Sequence, residues 1–252
     1  MTKEQFKVYV FLPLMHIVLL YGLITSEHTL LILLSGIFLY FPLHHLGNGI
    51  GYHRLFSHNA FKPKRWYPYL STFLSSISFF GSPMEYAVVH RVHHQNSDKP
   101  GDPHSPVDGR LHAYITWITK FKPTHKQMLK VKDLGKSYPW MIKYQSIEWL
   151  VPIVFYGALF SINSTAGYII LLASLLSLHA AIAVNDFAHT TTPIVGQSDN
   201  SLNILWAAKL ISPIFLHHNH HTTGDNLDYS TAEFTDRWSW VIKHFLMEKK
   251  DA

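Results

Sequence analysis

Cysteine is absent from this chain of 252 residues, which excludes structural disulfides, thiolate-bound zinc and iron–sulfur clusters. Charge is sparse: Asp, Glu, Lys and Arg make up 15% of the composition, and the apolar residues are gathered in blocks. There is no low-complexity segment and no pattern that would bind haem or flavin. The first apolar block runs on too long for a secretory signal and leads straight into a second, so no cleaved leader is expected.

Four blocks have the character of membrane spans: residues 6–24, 30–46, 149–162 and 168–184. A hydrocarbon core of roughly 30 Å needs about 20 residues at 1.5 Å each, so 149–162 is short for the task. The blocks pair as two hairpins, closed by residues 25–28 and 163–167. None of the 21 Lys and Arg residues lies in either tip; they fall at the N-terminus, between 51 and 148, and after 184. The positive-inside rule makes those parts cytoplasmic. The net charge of +5 therefore reads first as a topology signal, with an anionic lipid or headgroup as its second use.

A fifth apolar stretch, 66–83, holds Pro68, Gly81 and serines at 71, 75, 76, 78 and 82, and reads as an interfacial or re-entrant helix. Residues 110–143, basic and aromatic, are expected to form helices over the polar side. Residues 236–252 are expected as one amphipathic helix with Trp238, Trp240, Val241, Phe245 and Leu246 on its apolar side. The expected fold is an all-α integral membrane protein, a single domain over 1–252. Its four transmembrane helices form two hairpins under a cytoplasmic helical cap that carries a histidine-rich dimetal site.

Histidine is what the chain has in excess, 19 in all. His90, His93 and His94 in VHRVHHQNSD, and His217, His220 and His221 in FLHHNHHTTG, write HxxHH twice. His53 and His58 lie in YHRLFSH; Asn185 and His189 lie in NDFAHTT. Residues three and four apart share a helix face, so each HxxHH trio is expected to converge on one point. His53 and His58, five apart, lie roughly 140° around a regular helix, and so suit different metals or an unwound helix end. These nine imidazoles and one amide can supply more than one transition metal. Neutral imidazole suits iron, zinc, copper and nickel alike, so ligand type does not name the metal.

These boxes, in this order between two apolar hairpins, resemble those of the membrane fatty-acid desaturases, in particular the acyl-CoA Δ9 (stearoyl-CoA) branch and its bacterial relatives. GYHRLFSHNAFK (51–62) is similar to that branch's first box, and PMEYAVVHRVHHQNSDKPGDPHSP (83–106) to its second, trailing DPH included. NDFAH (185–189) is similar to its NxxxH element and HHNHH (217–221) to its third box. The likeness runs from about Phe41 to Tyr229.

The resemblance implies an O2-dependent fatty acyl desaturase, which introduces a double bond into a long acyl chain carried as acyl-CoA or acyl-lipid. Its cofactor would be two iron ions, with O2 as co-substrate. Box by box, the implied ligands are His53, His58, His90, His93, His94, His189, His217, His220 and His221, with Asn185 contacting one iron through water. Taking hydrogen from an unactivated methylene needs a strong metal-bound oxidant, and imidazole withstands what would burn a thiolate. Electrons are implied to come from an external donor of ferredoxin, rubredoxin or cytochrome b5 type. The small size and the lack of a fused donor domain point to a bacterial cytoplasmic membrane.

The imidazoles need partners on their second ring nitrogens; Glu85, Asp98, Asp102, Asp186 and Asp228 are the carboxylates nearest the boxes. His44, His45, His104 and His218 are left out of the ligand set. Lys62, Lys64, Arg65, Arg110, Lys120 and Lys122 can meet an anionic headgroup or simply form a basic rim at the membrane.

The chain departs from the branch in three places. Residues 212–216 (SPIFL) replace a glycine-rich lead into the third box, two additional residues separate His221 from Asp228, and Ile182 stands where many relatives have Trp. These departures bear on the double-bond position and on whether the product is an alkene or a hydroxylated chain. The reading from another class is a non-enzymatic membrane protein that binds or transports metal. It should carry polar or ionisable residues along its spans near the midplane, where only His16 and His179 interrupt them, His44 and His45 ending a span.

Overall fold

In the computed structural model, which describes residues 1–248, two long apolar helices open the chain: α1 (Lys3–Thr25) and α2 (Thr29–Ser57). α3 (Tyr67–Ile77) and α4 (Pro83–Asn96) follow, then a string of short helical turns between 106 and 137. α5 (Trp140–Ile147), α6 (Leu150–Ile162) and α7 (Ser164–Phe187) complete the apolar part. The chain ends with α8 (His217–Thr222) and α9 (Arg237–Val241). No strand occurs among the described residues, only isolated bridges such as His189 with Ser201 and Asn203 with Leu216.

α1, α2 and α7 are long and apolar enough to cross a membrane, and α5 with α6 adds a fourth if the bent pair counts as one. Side chains on their outer faces, among them Ile17, Leu34, Phe38 and Val154, are exposed. An apolar surface of that extent is at home only in lipid. The expected span at 149–162 is short because α5 leads into it through a bend of 63°. Glu148 sits at that bend, buried, and accepts from Lys7 Nζ at 2.8 Å with Lys3 also in contact, which ties the start of α1 to the corner.

The second span was expected to end near Leu46, but α2 runs on to Ser57 and carries the first histidine box on its own end. From His45 its turns widen to i→i+5 hydrogen bonding: His58 N–H donates to His53 O at 3.2 Å, and Ser57 Oγ to Tyr52 O at 2.8 Å. A widened turn stacks residues five apart, which a regular helix does not.

α3 has 11 residues, so at 1.5 Å each it spans about half of a hydrocarbon core. Two of its hydroxyls are satisfied locally, Ser71 and Thr72 donating to Pro68 O at 3.2 and 2.8 Å, while Ser76 Oγ meets Tyr144 Oη at 2.5 Å. Positive φ at Phe79 (69°) and Gly81 (75°) turns the chain into α4, where Ser82 Oγ caps the helix by accepting from Glu85 N–H. The main core lies between these elements: Ile50, Tyr52 and Phe56 of α2, Tyr67 of α3, Val88 and Val92 of α4, and Met141 of α5.

The C-terminal helix is shorter than expected. α9 continues in widened turns to Leu246, and residues 249–252 lie outside the described residues. Ile242 and Leu246 are buried and Trp238 and Val241 pack on the core, while Trp240 (55% exposed) and Phe245 (53%) turn away from it.

α3 crosses α2 at Gly51, where a Cβ would lie 2.3 Å from Ser71 Cβ. Gly51→Leu is expected to destabilise the protein by about 1–3 kcal/mol through overpacking. Thermal unfolding in detergent reads this, and an unchanged midpoint would mean that α3 is not held against α2.

Candidate metal centre

The imidazoles assemble into two groups, and each HxxHH box is divided between them. The first group is His53, His58, His90 and His220; the second is His93, His189, His217 and His221, with ligand atoms in each group within 4.8 Å of one another. The trios therefore do not converge on one point. Adjacent helix positions point about 100° apart, so His93 and His94 must face different ways, as must His220 and His221. In each box the i, i+4 pair shares a face and the residue between belongs to the other side. His53 and His58 fall in one group because the widened turn of α2 stacks them.

Nε2 atoms meet inside both groups. In the first, His58 and His90 are 2.7 Å apart at Nε2, and His53 and His220 are 3.1 Å apart. His94 joins through His220, at 2.9 Å, and its ring stacks on His221 at 4.4 Å, so it sits at the seam. In the second group, Nε2 of His221 lies 3.3 Å from that of His93 and 3.1 Å from that of His217. Nε2 of His189 is buried without a hydrogen-bond partner.

Carboxylates hold the far side of the second group. His93 Nδ1 lies 2.9 Å from Asp102 Oδ1, His189 Nδ1 2.7 Å from Asp98 Oδ2, and His221 Nδ1 2.8 Å from Asp199 Oδ2. Asp98 and Asp102 were among the carboxylates expected from the sequence; Asp199 was not, and the loop that brings it in is fixed only by long-range pairing. Glu85, Asp186 and Asp228 are engaged elsewhere, facing Lys3 (3.9 Å), Arg110 (3.1 Å) and Lys243 (3.0 Å). Burial tends to raise Asp98 and Asp199, but the hydrogen bonds from His189 and His221, with those from Ser105 and Ser201, hold both below the usual carboxylate range.

The first group has a different support. The hydroxyl of Tyr229 lies 3.1 Å from His220 Nδ1 and 3.5 Å from His53 Nδ1. Arg54 lies over the Tyr229 ring at 4.2 Å and pairs with buried Asp236 at 2.7 Å. Neither Tyr229 nor this ion pair was expected from the sequence. Arg91, beside His90 on α4, donates to Ser57 O and Phe56 O at 2.8 Å each, joining the box on α4 to the carbonyls that end α2.

Burial pushes Asp102 up to about 7, but both of its oxygens already accept backbone N–H groups, from Asp98 and His104, so it faces His93 as an acceptor, as Asp98 and Asp199 face theirs. A carboxylate only accepts, so His93, His189 and His221 carry their protons on Nδ1 and present bare lone pairs at Nε2. Two such lone pairs, those of His93 and His221, then face each other at 3.3 Å. That arrangement is repulsive without a cation between them and fits a transition-metal ion.

A cavity of about 40 Å³ lies against both groups, with His53, His90, His93 and His217 on one side and Ala181, Val184 and Ile214 among its apolar walls. Asn185 lines this cavity and donates to Ala113 O at 3.4 Å, without joining either group. Of the histidines left aside, His104 packs on His93 at 4.2 Å and forms a third grouping with Asp102. His44 lines the cavity and contacts Ser177 Oγ at 3.1 Å, His45 stacks on Trp238 at 4.3 Å, and His218 contacts Ser201 Oγ at 3.1 Å.

Burial pushes His90, His93, His94, His217 and His220 well below the usual imidazole range, with neighbouring histidines adding to the effect. It pushes His58 down to about 3, with Arg91 contributing. Those six imidazoles are therefore neutral, the form that ligates metal. A group whose pKa is lower in the folded chain than in the unfolded one stabilises the fold fully above its unfolded value. That stability is lost as pH falls toward the folded value. The metal-free protein is expected to hold its thermal midpoint above pH 6.5 and lose it progressively from there toward pH 3. A midpoint that stays level between pH 7 and 4 would contradict the burial of neutral imidazoles.

No family model matches the chain. It is similar to delta-9 acyl-lipid desaturase 2 of Arabidopsis thaliana, 25% identical over 219 residues, which is 82% of this chain and 69% of that one. It is similar to the sn-1 stearoyl-lipid 9-desaturase of Anabaena variabilis, 26% identical over 244 residues, 92% of this chain and 86% of that one. It also matches the hex-5-enoyl-(acyl-carrier protein) acetylenase of Moorena producens, 26% identical over 202 residues, 70% of this chain and 62% of that one. Over most of its length the chain is thus similar to acyl-lipid desaturases of a plant and a bacterium, oxidoreductases of lipid metabolism, and this likeness supports the desaturase family.

Proposed function

We propose that this protein is an O2-dependent desaturase of long acyl chains in which each imidazole group holds one iron. The observation that carries the reading is the opposed Nε2 lone pairs of His93 and His221, each with its Nδ1 committed to a carboxylate. His53, His58, His90, His94 and His220 would hold one iron; His93, His189, His217 and His221 would hold the other, and Asn185 would reach one of them through water. When bound, the iron pair supplies the oxidising power that takes two hydrogens from neighbouring methylenes. The sum is one O2, two electrons and two protons in, with one double bond and two waters out. The electrons come from an external ferredoxin, rubredoxin or cytochrome b5 type donor.

The chain's own part is to hold the imidazoles and to guide the substrate. Leu178, Ala181 and Asn185 recur at three- and four-residue spacing along α7 and so share one face. Ala181 and Asn185 line the cavity at the imidazoles, and Leu178 lines a second cavity of about 110 Å³ bounded by Phe11, Phe79 and Pro152, with Lys3, Lys7 and Glu148 at its polar end. This face of α7 is the proposed acyl path. The headgroup, acyl-lipid or acyl-CoA, would stay at the cytoplasmic side, where the basic residues lie.

Acyl-chain profiling by mass spectrometry of a host carrying the wild type or His93→Ala tests the assignment, with iron counted on both purified proteins. A new unsaturated chain made by the wild type alone, and about two irons per chain that fall in the variant, are expected. A hydroxylated chain would move the activity to hydroxylation, a triple bond to acetylenase chemistry, and a wild type free of iron would remove the enzyme reading. Ala181→Phe is expected to keep its iron and yet lower product at least about tenfold, because the path is blocked and the ligands are not. Full activity in that variant would place the acyl chain elsewhere.

A further inference from the structure

We infer that the two iron sites are unequal, with the iron of the Tyr229-supported group held more weakly and lost first. This rests on the reading of both imidazole groups as iron sites.

In the second group, His93, His189 and His221 each give Nδ1–H to an aspartate, at 2.9, 2.7 and 2.8 Å. Each aspartate is itself anchored. Asp98 accepts from Asn200 N–H and Ser105 O–H, Asp102 from the N–H groups of Asp98 and His104, and Asp199 from Ser201 N–H. Giving that proton to an anion pushes electron density onto the ring and makes Nε2 a stronger donor to metal.

Among the described residues, no hydrogen bond joins an imidazole of the first group to a carboxylate. There the partner is one neutral hydroxyl, Tyr229 Oη, accepting from His220 Nδ1–H at 3.1 Å and reaching His53 Nδ1 at 3.5 Å. A phenol oxygen accepts more weakly than a carboxylate. Arg54, 4.2 Å over the ring, draws density from it and weakens it further as an acceptor. The same guanidinium is fixed by Asp236, whose Oδ2 also accepts from Tyr229 N–H at 3.2 Å, so the phenol cannot turn away. Tyr229 is thus a positioning residue for His220 and His53, aiming their Nε2 atoms without enriching them.

The test uses the full chain in detergent, loaded anaerobically with Fe(II) and dialysed against graded chelator. Iron per chain is measured by mass spectrometry, and the iron environments by Mössbauer spectroscopy. The wild type is expected to fall from two irons to one and then to none in separate steps, losing one spectral component at a time. Tyr229→Phe keeps the ring beneath Arg54 and is expected to weaken the first-lost iron by about 10–100-fold while leaving the second step in place. Asp98→Asn is expected to weaken the second step by a similar factor and draw the two steps together. It decides the matter alone if Tyr229→Phe does not fold.

Loss of both irons in one step by the wild type would overturn the inequality. So would a Tyr229→Phe shift in the tighter step, or an Asp98→Asn shift in the weaker one. A wild type that takes up no iron would instead refute the iron reading beneath it.

Discussion

An imidazole aims one nitrogen at a metal best when something holds the other, and in this chain the hydrogen bonds to Asp102, Asp98 and Asp199 hold His93, His189 and His221. Much of the irregular backbone around the centre follows from them. The loop after α4 takes positive φ at Asp98 (57°) and Gly101 (97°), which turns it back so that both aspartates face the helix it has just left. Beyond α7, the bridge of His189 with Ser201 brings Asp199 beneath α8. Neither loop has a helix or sheet of its own to hold it. Ionic hydrogen bonds in a buried setting are strong enough to do so.

The division of each histidine box has a mechanical consequence. α4 gives His90 and His94 to one side and His93 to the other; α8 does the reverse with His220 against His217 and His221. A slide or rotation of either helix would disturb both groups at once. Arg91 fixes α4 to the end of α2 through two carbonyls, and α2 supplies His53 and His58. The centre is thus a joint among three helices, and its rigidity is that of their packing.

Much of this was legible in the sequence. The apolar blocks show as composition, and the helices that are long enough to cross a membrane begin near them, although α2 runs past its block to Ser57. The boxes show as spacing, and the nine imidazoles they name come together. What spacing could not convey was direction. Regular-helix geometry left His53 and His58 either on different metals or at an unwound helix end, and the i→i+5 turns of α2, which no residue type announces, put them on the same side. Asp199 and Tyr229 stayed hidden because their places depend on contacts far along the chain, Asp199 through the bridged loop and Tyr229 through Arg54 and Asp236. The corner at Glu148 was hidden for the same reason, since its charge is balanced by Lys3 and Lys7 at the other end of the sequence.

The segment 212–216 is the clearest departure from the resembling family, and its packing shows what kind of change it is. Phe215 and Leu216 are buried with Val184, Ala188, Ala207 and Ala208. Backbone bonds from Ile204 N–H to Phe215 O (2.7 Å) and from His217 N–H to Leu202 O (3.2 Å) carry the chain into α8. Apolar packing thus presents the third box in place of the glycine-rich lead that the resemblance would imply. Ile214, next in the segment, lines the cavity at the imidazoles together with Ala181 and Val184. On the proposed reading, the imidazoles and their anchors are separable from the wall that would meet the acyl chain. Variation at 212–216 and at Ile182 falls on the apolar side, where it would change which carbons lie beside the imidazole groups while leaving the partners of those imidazoles as they are.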